Sequence, residues 1–164
     1  MWYTFVPQEA RHMALEKRTM KIITTNSFEE TQQVGCDFAK KVKGGQVLAL
    51  YGDLGSGKTT FMQGLAKGLG VKKNIISPTF IIMRSYKMGT RDEGRRIRNL
   101  YHLDLYRIEN ETQAEDLGLR ELMGDPQSVV AIEWPDKIEN ILPEKRINIY
   151  FEYLGDDKRS IRFN

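Results

Sequence analysis

The hydrophobic positions of this chain form two kinds of pattern, short unbroken runs and longer stretches with helical spacing. The runs Val47–Tyr51 and Ser128–Glu133 are apolar almost throughout, which is typical of strands covered on both faces of a parallel sheet. Apolar residues recur at helical spacing after Ser27, and a glutamate three positions later completes a capping-box sequence. This pattern predicts an amphipathic helix over Phe28–Lys43, and a second helix is predicted over Lys58–Leu69.

Two further patterns predict antiparallel hairpins. Phe80–Lys87 and Asn99–Arg107 are both strand-like, and the polar stretch between them predicts a hairpin with a long loop. Hydrophobic and polar residues alternate from Ile147 to Tyr153, which predicts a strand with one buried face. The turn sequence Gly155-Asp156-Asp157 then leads into a last strand over Arg159–Phe163. Shorter elements are predicted at Lys21–Thr25, a strand, and at Glu111–Asp116, a helix.

Length and composition suit a globular protein of one domain. The chain has 164 residues, and we expect one domain over residues 20–164, preceded by an extension, residues 1–19, that shows no clean period. Cys36 is the single cysteine, and we interpret it as a small buried hydrophobe in a reducing compartment.

No run approaches the roughly 18 apolar residues of a membrane span, so a cytoplasmic protein without membrane contact is expected. The net charge of +3 permits nucleic-acid contact without arguing for it.

A glycine-rich motif lies between the strand at Val47–Tyr51 and the helix that follows. It has the form G-x-x-x-x-G-K-[ST], and each position has a mechanical reason: the glycines let backbone N–H groups point inward around phosphates, and the helix directs its positive end at the same anion. Lys58 would reach the β- and γ-phosphates, and Thr59 would offer its hydroxyl to Mg²⁺. The predicted nucleotide-binding residues are Gly52, Asp53, Leu54, Gly55, Ser56, Gly57, Lys58, Thr59 and Thr60.

The motif and the strand patterns together predict the fold class. We expect an α/β protein with a P-loop NTPase-like three-layer fold, a mostly parallel central sheet, helices on both faces and antiparallel hairpins at the edges. Guanine-specific proteins usually carry an N-K-x-D-type loop late in the chain, and none follows the glycine-rich motif here. ATP with Mg²⁺ is therefore the expected ligand.

A site of this kind also needs a carboxylate near the metal, and two acids are candidates. Glu133 ends an uninterrupted apolar strand, whereas Asp104 lies in an alternating strand in which His102, Asp104 and Tyr106 would share one face. His102 has the weaker case, because a strand histidine is often only a packed, hydrogen-bonded neighbour. Thr79, in Ser-Pro-Thr-Phe, lies where nucleotide enzymes place a segment that senses the γ-phosphate.

Several of these motifs occur together in one family. The glycine-rich loop, Ser77-Pro78-Thr79-Phe80, His102-x-Asp104-x-Tyr106-Arg107, Leu117-Gly118-Leu119 and Ile132-Glu133-Trp134-Pro135 resemble the TsaE family, also called YjeE, in order and approximate spacing. The resemblance covers about residues 20–146.

The resemblance implies a small bacterial Mg²⁺-dependent ATPase that is weak alone and is activated by its partners. The implied partners are TsaD and TsaB. With them, the protein would take part in threonylcarbamoyladenosine modification of tRNAs reading ANN codons. It would contact tRNA only indirectly, through the complex. The residues that it implies are Lys58, Thr79, Asp104 and Glu133 for catalysis, Thr59, Asp104 and Glu133 for the metal, and Trp134 beside the nucleotide.

Two features depart from the family pattern, and two other functions stay open. The extension before Met20 has no expected counterpart, and the loop Arg84–Arg98 is longer and more basic than expected, with six basic residues against two acidic ones. This loop is either a solvated surface loop or a contact for tRNA phosphates or an acidic partner. One alternative function is a small-molecule kinase, which usually has an arginine-bearing lid for which this loop could be mistaken. A nucleotide-gated binding module, in which hydrolysis only resets a switch, is the other alternative.

Overall fold

The computed structural model describes residues 21–73, 75–78, 81–88 and 97–164. Three predicted features lie outside these residues, and the expectations about them are not tested: Thr79, the extension over residues 1–19 and most of the basic loop. In the described part of the chain, no helix is both long and apolar enough to cross a membrane.

The described residues form seven strands, four α-helices and one 3₁₀ segment. The strands are β1 (Lys21–Thr25), β2 (Val47–Tyr51), β3 (Met83–Lys87), β4 (Asn99–Asp104), β5 (Ser128–Glu133), β6 (Ile147–Gly155) and β7 (Lys158–Phe163). The helices are α1 (Phe28–Ala39), α2 (Lys58–Gly68), α3 (Glu111–Glu115) and α4 (Leu119–Gly124), and the 3₁₀ segment covers Pro135–Ile141.

The strands form one mixed sheet whose order is β1-β7-β6-β2-β5-β4-β3. The four central strands β6, β2, β5 and β4 are parallel, because β2 pairs in parallel with β5 and β6, and β4 pairs in parallel with β5. Strands β1, β7 and β3 are antiparallel to their neighbours at the two edges. The predicted fold class, with a parallel centre and antiparallel edge hairpins, is therefore confirmed.

Two apolar clusters cover the two faces of the sheet. Helix α2 packs through Phe61 and Leu65 against Leu48 and Leu50 of β2, and α1 contributes Ala39 to the same cluster. Phe61 also meets Phe151 of β6 edge-on at 5.3 Å. On the other face, α3, α4 and the 3₁₀ segment cover a second cluster, in which Leu119 is fully buried. Both faces of the central strands are thus apolar, which explains why β2 and β5 show no alternation.

Helix α1 ends earlier than its sequence pattern predicts. It ends at Ala39 instead of Lys43, because the backbone N–H groups of residues 40–42 each bond the carbonyl three residues back, which tightens the last turn. The predicted N-cap is correct in that Ser27 Oγ accepts from the N–H of Glu30. The Glu30 carboxylate, however, accepts from the N–H of Asn26 rather than that of Ser27. Cys36 is half-buried instead of buried.

Several other boundaries also differ from the predictions. Strand β3 begins at Met83 instead of Phe80, and β4 ends at Asp104 instead of Arg107. Tyr153 is 54% exposed rather than buried, because β6 pairs with β2 only as far as Tyr150 and then projects beyond the sheet centre. Helix α4 and the 3₁₀ segment were not predicted, since neither is long enough for a period to show.

Candidate functional site

The glycine-rich loop, Gly52–Thr59, connects β2 to α2 at the carboxyl edge of the parallel strands. Gly52 and Gly57 have φ values of +143° and +104°, which side-chain-bearing residues rarely adopt. A Cβ on Gly52 would also collide with the Phe151 carbonyl oxygen and lie 2.7 Å from Ser56 Oγ. Ser56 Oγ is buried and has no hydrogen-bond partner among the described residues. An anion held in the loop could supply the acceptor that this hydroxyl lacks.

Lys58, the first residue of α2, folds over the loop. Its Nζ donates to the carbonyl oxygens of Gly52 at 2.5 Å and Asp53 at 2.8 Å, and it lies 4.3 Å from the centre of the Trp134 ring. Burial lowers the pKa of Lys58, and the surrounding carboxylates, Glu133 and Asp104 foremost, act in the opposite direction. The site therefore holds a largely desolvated ammonium group close to two acids.

Glu133, the last residue of β5, is the centre of a buried polar network. Its carboxylate accepts from Thr59 Oγ1 at 3.1 and 3.3 Å, and one of its oxygens lies 2.8 Å from His102 Nε2. Glu133 is 3% exposed and His102 is fully buried. Because an ionised carboxylate only accepts, the contact fits a histidine that donates from Nε2; His102 Nδ1 has no hydrogen-bond partner among the described residues.

Asp104 lies next to Glu133, because the two residues pair in register across β4 and β5. One Asp104 oxygen accepts from Ser77 Oγ at 3.0 Å, and the other accepts from the N–H of Tyr106 at 3.0 Å. Asp104 is 3% exposed. These two bonds tie the carboxylate to the segment before β3 and to the turn after β4.

Trp134 and Tyr106 form an aromatic wall beside Lys58. Their ring centres are 5.1 Å apart, and Trp134 has a φ of +59°, which is a strained conformation for a bulky residue. This conformation lets the chain turn from β5 into the 3₁₀ segment while the indole faces the ammonium group. Tyr106 is half exposed, so the predicted face of His102, Asp104 and Tyr106 holds only for the two buried residues, since β4 ends at Asp104.

The structure brings most of the predicted site residues together. Five of them lie around the start of α2: Lys58, Thr59, Asp104, Glu133 and Trp134. Thr79 lies outside the described residues. Leu54, predicted to bind nucleotide, is 81% exposed at the tip of the loop. Ser77 was noted only as part of a motif, although it contacts Asp104 directly. Arg159, which lies against Gly57, was missed. Regular pairing across the two-residue turn would place it opposite Leu154, and the register shift between Tyr153 and Gly155 moves it opposite Tyr153.

The spacing of Thr59 and Glu133 would suit two ligands of one divalent cation. Two ligands at neighbouring corners of a Mg²⁺ octahedron lie about 3 Å apart when each is about 2.1 Å from the ion. The Thr59 hydroxyl and the Glu133 carboxylate match this separation. Within the described ranges, no group of three or more His, Cys, Asp or Glu side chains is arranged to hold a metal ion.

Comparison with known proteins identifies the family. A family model described as "Threonylcarbamoyl adenosine biosynthesis protein TsaE" matches residues 25–161, which is most of the chain. The chain belongs to the TsaE family. A Bacillus subtilis TsaE named "tRNA threonylcarbamoyladenosine biosynthesis protein" is 44% identical over 135 residues, which are 82% of this chain and 79% of that protein. The Treponema pallidum TsaE of the same name is 34% identical over 137 residues, covering 84% of this chain and 95% of its own.

A solved structure supports the same conclusion. The crystal structure of Bacillus subtilis YdiB superposes with a TM-score of 0.72 at 37% sequence identity, covering 88% of this chain and 84% of its own. The TsaE family has a P-loop NTPase-like fold, so both the family resemblance and the fold class read from the sequence are confirmed. Membership in the TsaE family associates the chain with the biosynthesis of threonylcarbamoyladenosine on tRNA.

Proposed function

We propose that this protein binds and hydrolyses ATP with Mg²⁺ and that it serves threonylcarbamoyladenosine modification of tRNAs reading ANN codons together with TsaD and TsaB. Its hydrolysis would be weak alone and activated by those partners, and tRNA would be reached through the complex, in the cytoplasm. The observation that carries the proposal is the convergence of Lys58, Thr59 and Glu133 at the N-terminus of α2. An ammonium group, a hydroxyl and a carboxylate in this arrangement suit a triphosphate with its cation.

Each residue has a distinct task in the proposed reaction. Lys58 would exchange its bonds to two loop carbonyls for bonds to phosphate oxygens, so that the desolvated ammonium group gains a full negative partner. The backbone N–H groups at the start of α2 would bind the same phosphates. Thr59 and Glu133 would hold Mg²⁺, which when bound neutralises charge on the phosphate oxygens.

Asp104 is suited to orient the attacking water. It is the second buried carboxylate of the site, lies next to Glu133 and accepts a hydrogen bond from Ser77 Oγ. A carboxylate in that position can accept a hydrogen bond from water and align it for attack on the terminal phosphate. Trp134 would shield Lys58 from solvent, because its ring covers the ammonium group.

Replacing Lys58 tests the nucleotide site directly. Lys58→Ala should weaken ATP binding by about 10- to 100-fold, the equivalent of one charged hydrogen bond of about 1.5–3 kcal/mol, and should abolish hydrolysis. Lys67→Ala, at the exposed end of the same helix, is the matched control. Calorimetry with Mg-ATP and a phosphate-release assay measure both. Wild-type turnover in Lys58→Ala, or no uptake of any nucleoside triphosphate by the wild-type chain, would refute the proposal.

A second candidate function, the nucleotide-gated binding module, has one specific observation in its favour. The Ser77–Asp104 bond links the segment before β3 to the site, so the state of the nucleotide could be transmitted to a surface that a partner reads. Binding to TsaD–TsaB should be measured with ADP, ATP and a non-hydrolysable ATP analogue. Binding that follows ATP occupancy without hydrolysis favours the module, whereas binding indifferent to the nucleotide excludes it. Assaying phosphate transfer to small acceptors separates hydrolysis from the kinase alternative.

A further inference from the structure

The β6–β7 hairpin flanks the glycine-rich loop on the side away from Glu133. In the sheet order, β2 has β5 on one side and β6, then β7, on the other. Glu133 and Asp104 therefore lie on the β5 side of the loop, and the start of β7 lies on the opposite side. A ligand bound in the loop would therefore have the two acids on one side and this hairpin on the other.

Arg159 of β7 lies directly against the loop. A Cβ placed on Gly57 would be 3.3 Å from Arg159 Cδ and 3.4 Å from its Nε, so the side chain passes over the residue that precedes α2. The Arg159 side chain is 15% exposed. Its guanidinium lies 5.2 Å from the ring of Tyr153, its cross-strand partner in register. The hairpin thus places the positively charged guanidinium of Arg159 at the N-terminus of α2.

The hydrogen-bonding capacity of this guanidinium is only partly used. Its Nη1 donates to the carbonyl of Asp157 and lies 3.7 Å from the carboxylate of the same residue. Arg159 Nε is buried and has no hydrogen-bond partner among the described residues. A buried donor without a partner is costly, and a phosphate oxygen is the acceptor that a guanidinium binds best, often through two parallel bonds.

We propose that Arg159 is a nucleotide-binding residue that contacts the phosphate oxygens shared by ATP and ADP. The inference rests on the proposed nucleotide site. Thr59 and Glu133 would hold the cation on the β5 side, so the terminal phosphate belongs there, and the remainder of the nucleotide extends towards β6 and β7. Arg159, beside Gly57 on that flank, meets the phosphates nearer the nucleoside and strengthens binding of either nucleotide without acting on the bond that is cleaved.

The hairpin offers a matched control for this proposal. Arg162 also stacks on its cross-strand tyrosine, with its guanidinium 4.5 Å from the ring of Tyr150. Tyr150 stacks on Tyr51, on the face of the sheet opposite α2, because β2 directs Leu48 and Leu50 towards that helix and Tyr51 away from it. Arg159 and Arg162 therefore have the same charge on the same hairpin, and each lies over a cross-strand tyrosine. Arg159 lies against Gly57, whereas Arg162 lies on the opposite face of the sheet.

The test compares Arg159→Gln with Arg162→Gln. The expected result is that Arg159→Gln weakens binding of both ADP and Mg-ATP by about tenfold or more, as for the loss of one charge-assisted contact, with the ATP-to-ADP affinity ratio unchanged. Arg162→Gln should bind both as the wild type does. Calorimetry with each nucleotide gives these affinities. Unchanged affinity in Arg159→Gln, an equal loss in both variants, or a loss confined to ATP would each overturn the assignment.

Two further measurements separate binding from folding and from the proposed function itself. Thermal unfolding without nucleotide should give closely similar midpoints for Arg159→Gln and Arg162→Gln. If Arg159→Gln does not fold, Arg159→Lys replaces it; this variant keeps the charge but loses the planar fork, so a smaller loss for both nucleotides is expected, and wild-type affinity would count against the proposal. A wild-type chain that binds neither nucleotide would remove the nucleotide site as a whole, whereas normal wild-type binding with a normal variant removes only Arg159.

Discussion

Glu133 and Asp104 are neighbours in register at the ends of two parallel strands, and both are almost completely buried, yet their partners differ in kind. Glu133 is held by Thr59 of α2 and His102 of β4, which belong to regular secondary structure. Among the described residues, Asp104 accepts hydrogen bonds from Ser77 and from the N–H of Tyr106, which belong to connecting segments.

On the basis of this difference, we propose that the two acids have different tasks. A carboxylate fixed between a helix terminus and a strand keeps its position, which suits a metal ligand that must be ready before substrate arrives. A carboxylate held by connecting segments moves when those segments move, which suits a group that senses or completes the site. The following predictions test this comparison.

The largest effect is expected at Glu133. Glu133→Gln keeps the shape of the side chain but removes the charge, so the site loses several kcal/mol of metal-supported charge stabilisation and hydrolysis should fall by about 100-fold or more. Raising Mg²⁺ should restore part of the activity. Steady-state phosphate release across a Mg²⁺ series measures this, with Glu144→Gln, an exposed acid, as the control. A variant with wild-type Mg²⁺ dependence would contradict the role of Glu133 at the metal.

Asp104 should affect hydrolysis more than binding. In Asp104→Asn, turnover should fall by about 100-fold, as for a group that positions a nucleophile, while the affinity for Mg-ATP stays within about threefold of the wild type, a change of less than 1 kcal/mol. Phosphate release and calorimetry on the same sample give the two numbers. Asp116→Asn, at an exposed helix end, should change neither. Equal losses in binding and turnover would make Asp104 a second metal ligand rather than a water-orienting group.

His102 should act through Glu133, as a positioning residue. His102→Leu removes the partner of a buried carboxylate and should raise the Mg²⁺ concentration needed for half-maximal hydrolysis by about 10- to 100-fold, the usual effect of losing a group that orients a metal ligand. His102→Gln keeps an N–H donor within reach and should recover part of this loss. If both variants unfold at the same temperature yet differ in Mg²⁺ requirement, the effect is on position rather than on folding; identical requirements would argue against it.

The smallest effect is expected at Ser77. Ser77→Ala removes one hydrogen bond to Asp104, worth about 0.5–1.5 kcal/mol, so turnover should fall by less than about tenfold and nucleotide affinity should not change. Ser85→Ala, on an exposed position of β3, is the control. A large loss of nucleotide affinity in Ser77→Ala would place the segment before β3 inside the binding site and erase the distinction between the two acids.

The sequence was sufficient for the parts of the molecule whose patterns repeat. Two unbroken apolar runs identified β2 and β5, because both faces of a central strand are covered. The glycine-rich motif placed Lys58 at the start of a helix, and the second run placed Glu133 at the end of a strand; Asp104, by contrast, was predicted inside a strand that the structure ends at this residue. These features depend on local chemistry and on the direction of parallel strands, and both can be read from one chain.

Most of the features that were missed depend on contacts and relative lengths of different secondary-structure elements. The early end of α1 follows from a tightened last turn that no residue type marks. Tyr153 is exposed because β6 is longer than the strand beside it, which only the assembled sheet shows. The contact of Arg159 with Gly57 joins residues far apart in sequence, and the Ser77–Asp104 bond does the same. Such pairs require the register of the sheet and the path of its connections.

The position of Trp134 gives the site an optical reporter of its own. The chain has two tryptophans, and the one at the end of β5 lies with its ring over the Lys58 ammonium group. Drawing that ammonium group away to a phosphate would change the electric field at the indole and therefore its emission. With Trp2→Phe the remaining signal would come from Trp134 alone, so the occupancy of the loop could be followed in real time without a labelled nucleotide.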